Sequence, residues 1–582
     1  MLKKIFLLLL ISAIALTGCT QGIALSKSQI IISVLSDPKT FNYALSQESP
    51  NIFGLTYLGL INEDGLTGDV VPELAESWEI SPDKKKIIFT MRSGLKWSDG
   101  EPLTVDDVVF TYNDIYLNKK IPTDIQDGLK IGKKRLLPTV KKIDNQRVEF
   151  TVPEPFAPFL RNMGTAILPK HSLEKSVKEL DKEGKPKFLT TWGINTPPKD
   201  IIVNGPYKLE SYTTSERVIF TRNPYYWRKD KQGKQQPYIE KYIWQIVENT
   251  DTSLMKFRTG STDSIGVTPD YFGLLKREEK KGNFTIYNGG PATGVSFISF
   301  NLNTASRKGK PLVDPIKSKW FTTVEFRQAV AYAIDRRRMI NNIYRGLGDL
   351  QNSPISVPSP YYLSPKQGLK VYEYNPEKSK ELLLKAGFKY NDQNELFDAA
   401  GNRVKFTLFT NAGNKIREAM GAQITQDLAK IGIKVDFEPI AFSLLVDKLS
   451  NSLDWECYLL GFTGGVEPND GANLWALDGG LHSFNQEDLN AKKPEDKATG
   501  RTIYDWEKKI ADLYIQGAGE LDEGKRKKIY AETQQITQEN LPYIYLVNPF
   551  SLAAVRNKIK GIKYSPLQGA FWNIYELSID NK

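Results

Sequence analysis

The chain has 582 residues, of which 40% are hydrophobic, 25% charged and 11% aromatic. That balance excludes long disordered stretches and suffices for about three or four globular domains. The formal charge is +10, from 78 basic and 68 acidic residues, but the densest basic clusters (Lys84-Lys85-Lys86, Lys133-Lys134-Arg135 and Arg336-Arg337-Arg338) are scattered. A nucleic-acid footprint would gather on one element, so these clusters read as solvated faces and turns.

The first element in the chain is an address. Lys3 and Lys4 precede a 12-residue apolar run, residues 5–16, too short for a comfortable membrane span. Leu16-Thr17-Gly18-Cys19 follows and resembles the lipobox of bacterial lipoproteins. The resemblance implies a signal peptide over residues 1–18, cleavage after Gly18, and lipid attachment to the Cys19 sulfur. Two acyl chains anchor stably where one does not. The expected product is a body tethered to the cell envelope, facing the periplasmic or extracellular side. Nucleic acid, ATP and NAD are not expected partners there.

Residues 72–112 carry two turn signals, Ser81-Pro82-Asp83 and Ser98-Asp99-Gly100, around an alternating strand in which Ile87, Phe89 and Met91 share one face. Thr104 is a good N-cap, with Asp106 and Asp107 in the favoured first turn. Residues 207–212 and 217–221 flank a polar turn and read as a hairpin. Over residues 322–348, Thr322 and Glu325 suggest a capping box, and Phe326, Ala329, Val330, Ala333 and Ile334 keep helical spacing up to a stop at Gly346. Asn375, Pro376 and Gly387 delimit a compact helix, and a second helical pattern over 415–432 stops at Gly432. Ile433, Val435 and Phe437 then alternate as a strand, with Pro439 expected to close it. Residues 486–500 read as an exposed loop. Strands and helices are intermixed throughout, which argues an α/β or α+β class.

Several of these segments together resemble the bacterial extracellular solute-binding proteins of family 5, the peptide- and nickel-binding type that feeds ATP-binding-cassette importers. The blocks are Ala75-Glu76-Ser77-Trp78, Gly94-Leu95-Lys96-Trp97-Ser98-Asp99-Gly100, Asn204-Gly205-Pro206-Tyr207, Arg222-Asn223-Pro224-Tyr225-Tyr226-Trp227, residues 327–336 (RQAVAYAIDR) and Leu541-Pro542-Tyr543-Ile544. They occur in family order over roughly residues 30–582. The resemblance implies an α/β fold of two lobes closing like a flytrap, with an extra domain in the first lobe. Lobe one is expected at residues 19–60, 200–290 and 545–582, the extra domain at 61–199, and lobe two at 291–544. It also implies a monomer that captures a peptide-like solute and passes it to permease and ATPase subunits. A non-peptide solute (oligosaccharide, opine or metal chelate) and a non-transport receptor are the alternatives.

The stretch GFTGGVEPND, residues 461–470, follows the apolar run CYLL and could cradle a phosphate, line a pocket or turn a corner. No Lys-Ser or Lys-Thr follows it, which disfavours a phosphate. The resemblance places a cleft loop here, in which an aspartate pairs with a peptide's amino terminus. This chain has Gly465 at that position, so either Glu467 replaces the aspartate or the ligand has no free amino terminus there. Phe462, Thr463, Gly464, Gly465, Glu467, His482 and Asn485 are the expected ligand-binding residues. The chain has only two histidines, His171 and His482, and two cysteines, Cys19 and Cys457. No HExxH, CxxC, GxSxG or P-loop string occurs, so neither a metal, a cofactor nor enzymatic turnover is expected. Cys457 reads as a buried apolar residue.

Overall fold

The computed structural model describes residues 28–46, 51–123, 125–491 and 493–580. The expected signal peptide and the expected lipidation at Cys19 lie outside the described residues. Among the described residues no helix is long and apolar enough to cross a membrane.

Three sheets organise the chain. The hairpin Ala75–Ile80 and Lys86–Met91 turns at the Ser81-Pro82-Asp83 signal, where the Ser81 and Asp83 side chains bond each other at 2.6 Å. Arg147–Thr151 and Thr139–Lys142 complete a four-stranded antiparallel sheet. Helix Val105–Phe110 packs on it, and its start is the capping box that the sequence suggests: Asp107 Oδ2 accepts from Thr104 N at 2.8 Å. Tyr112, Phe89 and Phe150 fill the space behind the sheet, with Phe150 edge-on to both neighbours.

The second sheet has eight strands. Gln29–Val34 lies near its centre, parallel to Lys241–Ile246, and the expected hairpin, Tyr207–Thr213 with Arg217–Arg222, extends it. On the other side come Ser264–Gly266, the long strand Val547–Arg556 and Phe284–Pro291. The third sheet has the order Lys434–Ile440, Lys405–Asn411, Cys457–Phe462, Val295–Phe300, Ile544–Tyr545. Its first three strands run parallel, and helix Lys415–Ala429 makes the crossover between the first two in sequence.

The chain passes between the second and third sheets twice, at residues 291–295 and 545–547. Asn548, fully buried, ties both crossings together: its Nδ2 donates to Ala292 O and Gly294 O at 3.1 and 3.2 Å and to Gln351 Oε1 at 2.7 Å. The lobes also touch away from these crossings. Ala157 N donates to Ala518 O at 2.7 Å, Arg345 faces Asp270 at 3.4 Å, and Lys415 faces Asp251 at 3.5 Å.

Two local expectations are corrected. The pattern over 322–346 is not one helix but two, Val324–Ala333 and Arg336–Asn342, preceded by a separate helix Pro315–Thr322. Thr322 ends that separate helix rather than capping the next one. Asp335 breaks the run because its side chain caps a new helix, accepting from Arg338 N at 2.9 Å. The break carries Arg336 into the interior, where Gln351 O, Asn352 Oδ1 and Tyr372 O accept from it. Pro439 does not close its strand but lies inside it, which the edge position of Lys434–Ile440 tolerates.

Candidate functional site

The carboxyl ends of the parallel strands in the third sheet face the cleft, which is where open α/β sheets hold ligands. Cys457–Phe462 is one of them. Its first four residues are buried, as CYLL leads one to expect, and Cys457 is a fully buried thiol. Burial pushes that thiol's pKa well up, so it is inert.

Past Phe462 the chain runs tightly against its neighbours. A Cβ at Gly464 would lie 2.3 Å from Thr293 O, so glycine is required by close approach to backbone. Pro468–Gly471 then forms a single 3-10 turn that Glu467 caps, its Oε1 accepting from Asn469 N at 2.9 Å. This turn folds Asp470 back over the loop. A Cβ at Gly465 would lie 2.5 Å from Asp470 Oδ2. The Asp470 carboxylate thus stands where a side chain at position 465 would project.

Glu467 and Asp470 differ sharply in what they can still do. Glu467 is 5% exposed and is gripped in a two-bond ion pair by Arg526, NH1 to Oε2 at 2.8 Å and NH2 to Oε1 at 2.5 Å. Arg526 is itself fixed by Gly517 O and Tyr361 Oη and stacks on the Tyr361 and Tyr530 rings. Glu467, the expected partner for a ligand's amino terminus, thus spends its charge on anchoring the loop to helix Glu523–Asn540. Asp470 opens to the cleft, and no hydrogen bond or ion pair reaches its carboxylate among the described residues. Surrounding protein and the negative Glu467 and Glu63 push its pKa up to about 7, against the partial relief given by Arg161 and Arg526. Glu63 and Arg161 pair with each other at 2.5 Å.

Asp470 lines a cavity of about 400 Å³. Phe462, Thr463, Gly464, Gly465 and Glu467 line it too. Five rings, Phe297, Trp475, Tyr514, Tyr543 and Tyr545, share the rest of the wall with aliphatic residues such as Val295, Ile355 and Leu474 and polar ones such as Thr293, Ser356 and Asn473. These rings brace one another: Phe297 lies 4.9 Å from Phe462 and 4.6 Å from Tyr543, and Trp475 stacks on Tyr514 at 5.9 Å.

His482 and Asn485, expected to contact ligand, are not among the residues lining this cavity. Both are buried one layer behind it. The His482 ring spans from Leu474 O (Nδ1, 2.8 Å) to Glu507 Oε2 (Nε2, 3.1 Å). Asn485 Nδ2 donates to both Glu507 oxygens and to Thr502 O. They hold Leu474, a lining residue, against helix Asp505–Gly519, which supplies Tyr514.

Arg417 stands at the same sheet edge, in the first turn of Lys415–Ala429. It is half-buried and donates to Asn411 Oδ1 at 2.8 Å, with no carboxylate partner among the described residues. Burial lowers its pKa. Among the described residues no group of three or more His, Cys, Asp or Glu is arranged to hold a metal ion.

Sequence reasoning missed Asp470, Arg417, Trp475 and Tyr514. Asp470 sat inside the quoted stretch, but linear offset from Gly465 hid what one turn of 3-10 helix brings together.

Comparison with known proteins meets this geometry. Residues 69–484 match the family described as bacterial extracellular solute-binding proteins, family 5. A probable ABC transporter-binding protein of Deinococcus radiodurans is 30% identical over 90% of this chain and 88% of its own length. The oligopeptide-binding protein AppA of Bacillus subtilis is 26% identical over 92% and 89%. The fold is shared with the periplasmic binding protein MelB of Agrobacterium fabrum, solved with stachyose, at a TM-score of 0.76 and 21% identity, covering 95% of this chain and 85% of that one. Two lobes, a cleft at the carboxyl edge of a parallel sheet and a match over most of the length agree, and a receptor role in place of catalysis follows: the chain belongs to the extracellular solute-binding proteins of family 5 that serve ABC importers.

Proposed function

We propose that this protein captures a peptide-like solute bearing a cationic end, closes its lobes on it, and delivers it to the permease and ATPase subunits of an importer. The single observation that carries the reading is Asp470: a carboxylate without a protein partner, on the wall of an aromatic cavity in the cleft. A buried ammonium needs such a partner, and a carboxylate raised to about 7 gains most from one. Arg417 is the complementary candidate for an acidic end of the solute. The oligopeptide-binding relative supports the peptide class. In the same reading the protein works as a monomer held at the envelope by lipid on Cys19. The lobes are divided as the sequence suggests: 19–60, 200–290 and 545–582 against 291–544, with 61–199 as the extra domain.

The experiment is native mass spectrometry of the protein as purified and after denaturing and refolding to strip it. The expected result is a set of bound masses that fit short peptides, vanish on stripping, and restore the melting temperature when added back. A single bound mass that is not a peptide would overturn the substrate class. Failure of any added peptide to raise the melting temperature would do the same.

A further inference from the structure

We infer that a lysine loop, residues 228–235, and the groove beside it that Arg92 lines form a docking surface for the phosphate of anionic lipid headgroups. The inference rests on the reading above that lipid on Cys19 holds the protein at the envelope. It adds which face the body turns to that membrane.

Reach limits which face can meet the bilayer. Ser28, the first described residue, stands nine positions after Cys19. An extended chain spans at most about 3.3–3.6 Å per residue, so Ser28 stays within roughly 30 Å of the lipid. A chain of this length folds to a radius of gyration of about 24 Å, a body about 60 Å across. The tether is half that width, so the face around Ser28 is held near the bilayer and the opposite face is kept off it. Ser28 O accepts from Glu240 N and Lys241 N at 3.0 and 3.1 Å. Two residues before Glu240, Tyr238 donates its hydroxyl to Asp230 in the loop at 2.6 Å, and Lys234 Nζ lies 4.9 Å from its ring centre. Loop and chain start are thus neighbours.

The loop reads RKDKQGKQ. Arg228 is spent on the buried Glu73. Lys229, Lys231 and Lys234 are exposed, and no ion pair holds any of them among the described residues. Asp230 offsets one of their charges, but its Oδ1 is turned inward to Gln232 N and Lys234 N, at 2.9 Å each. The ions nearest Ser28 neutralise each other, Lys241 with Glu210 at 2.6 Å and Arg222 with Glu240 at 2.8 Å. An excess of lysine charge on a closed turn is what a negative surface attracts, at about fivefold per lysine.

Lys229 and Gln235, bridged at the loop's stem, also wall a groove of about 530 Å³. Arg92 lines it. Its Nε donates to Glu73 O at 2.6 Å and its guanidinium stacks on Trp227 at 4.1 Å, but no ion pair holds it among the described residues. Glu76 is the one acid on the wall, against Arg92 and Lys229. Exposed Lys96 adds a charge beside it, 5.5 Å from the Tyr225 ring centre. A planar guanidinium fits a phosphate in two-point contact. Tyr225, 41% exposed on the same wall, is a residue type that settles at headgroup level.

The test uses the full chain, expressed in bacteria and reconstituted into vesicles of phosphatidylcholine alone or mixed with phosphatidylglycerol. Flotation reads the anchor, and the rate of lysine acetylation reads the face. The expected result is flotation with both vesicles and, with phosphatidylglycerol only, labelling at Lys229, Lys231 and Lys234 slowed about fivefold or more. Lys385 and Lys389, on the lobe of the third sheet, should be unchanged, and high salt should abolish the difference. With all three loop lysines changed to glutamine, slowing at Lys96 should disappear. Flotation with equal labelling on both vesicles would overturn the docking surface and leave the anchor standing. Flotation with the anionic vesicles alone, with the same lysines slowed, would overturn the anchor and support the surface. Slowing by hexaglutamate in detergent but not by either bilayer would assign the loop to an acidic protein partner and overturn the lipid assignment.

Discussion

Replacing Asp470 with asparagine separates binding from stability, because the structure predicts opposite signs for the two. The carboxylate has no protein partner, and its surroundings raise its pKa to about 7 from an unfolded value of about 3.9. Between those values the folded state binds more protons than the unfolded state, so this group's contribution to stability falls as pH rises. Above about 7 its full penalty is present, and Asp470→Asn removes it. Because the carboxylate opens to the cleft, water screens much of that penalty, and about 1 kcal/mol is the expected gain at pH 8. For a cooperative unit of about 150–250 residues this raises the melting temperature by about 2–4 °C. The gain should shrink toward zero as pH is lowered to about 4. Binding moves the other way. Losing a charge-assisted hydrogen bond costs about 1.5–3 kcal/mol, or roughly 10–150-fold in Kd for a cationic solute at pH 8. In the wild type the same affinity should weaken as pH drops from 8 to 6 and the carboxylate takes up a proton. The assays are ligand-free thermal melts and calorimetric titrations of both proteins across that range. An unchanged Kd at pH 8, or a variant less stable than wild type there, would refute the reasoning.

Other substitutions follow from the same geometry. Glu467→Gln should cost about 3–5 kcal/mol by leaving the Arg526 guanidinium buried and unpaired, read as lowered resistance to urea, while amine selectivity stays. Loss of amine selectivity without loss of stability would restore Glu467 as the ligand's partner. Arg417→Met should weaken a dipeptide by about tenfold or more and leave its carboxyl-amidated form unchanged, measured by titration of the two forms. His482→Ala should lower the melting temperature and loosen binding together, since it removes the buried bridge between Leu474 O and Glu507, whereas a loss of binding alone would point to direct ligand contact by His482.

Much of the fold was legible because short-range chemistry and tertiary context agree. Thr104 with Asp107, Asn375 with Pro376, and the Ser81-Pro82-Asp83 turn stand where local rules put them. The run over 322–346 misled because apolar spacing continues through Asp335, while that side chain gains more by capping a new helix than by staying inside an old one. The site was harder to read. Phe462 through Gly465 were placed at a cavity wall because their loop follows a buried strand. The role of Glu467 could not be read, because Arg526 lies 59 residues further on and only folding brings the two together. Asp470 was hidden by the same logic at short range, since its carboxylate reaches the space above Gly465 through a turn that sequence offset does not reveal. His482 and Asn485 were near the cleft in sequence, but Glu507 draws both into the layer behind it.

The most direct test of the central claim is a crystal structure of the protein with its co-purified solute. The account predicts a cationic nitrogen about 3 Å from an Asp470 oxygen and the Glu467–Arg526 pair intact. A solute that sits in the cleft with no positive group near Asp470, or that breaks the Arg526 pair to reach Glu467, would contradict it.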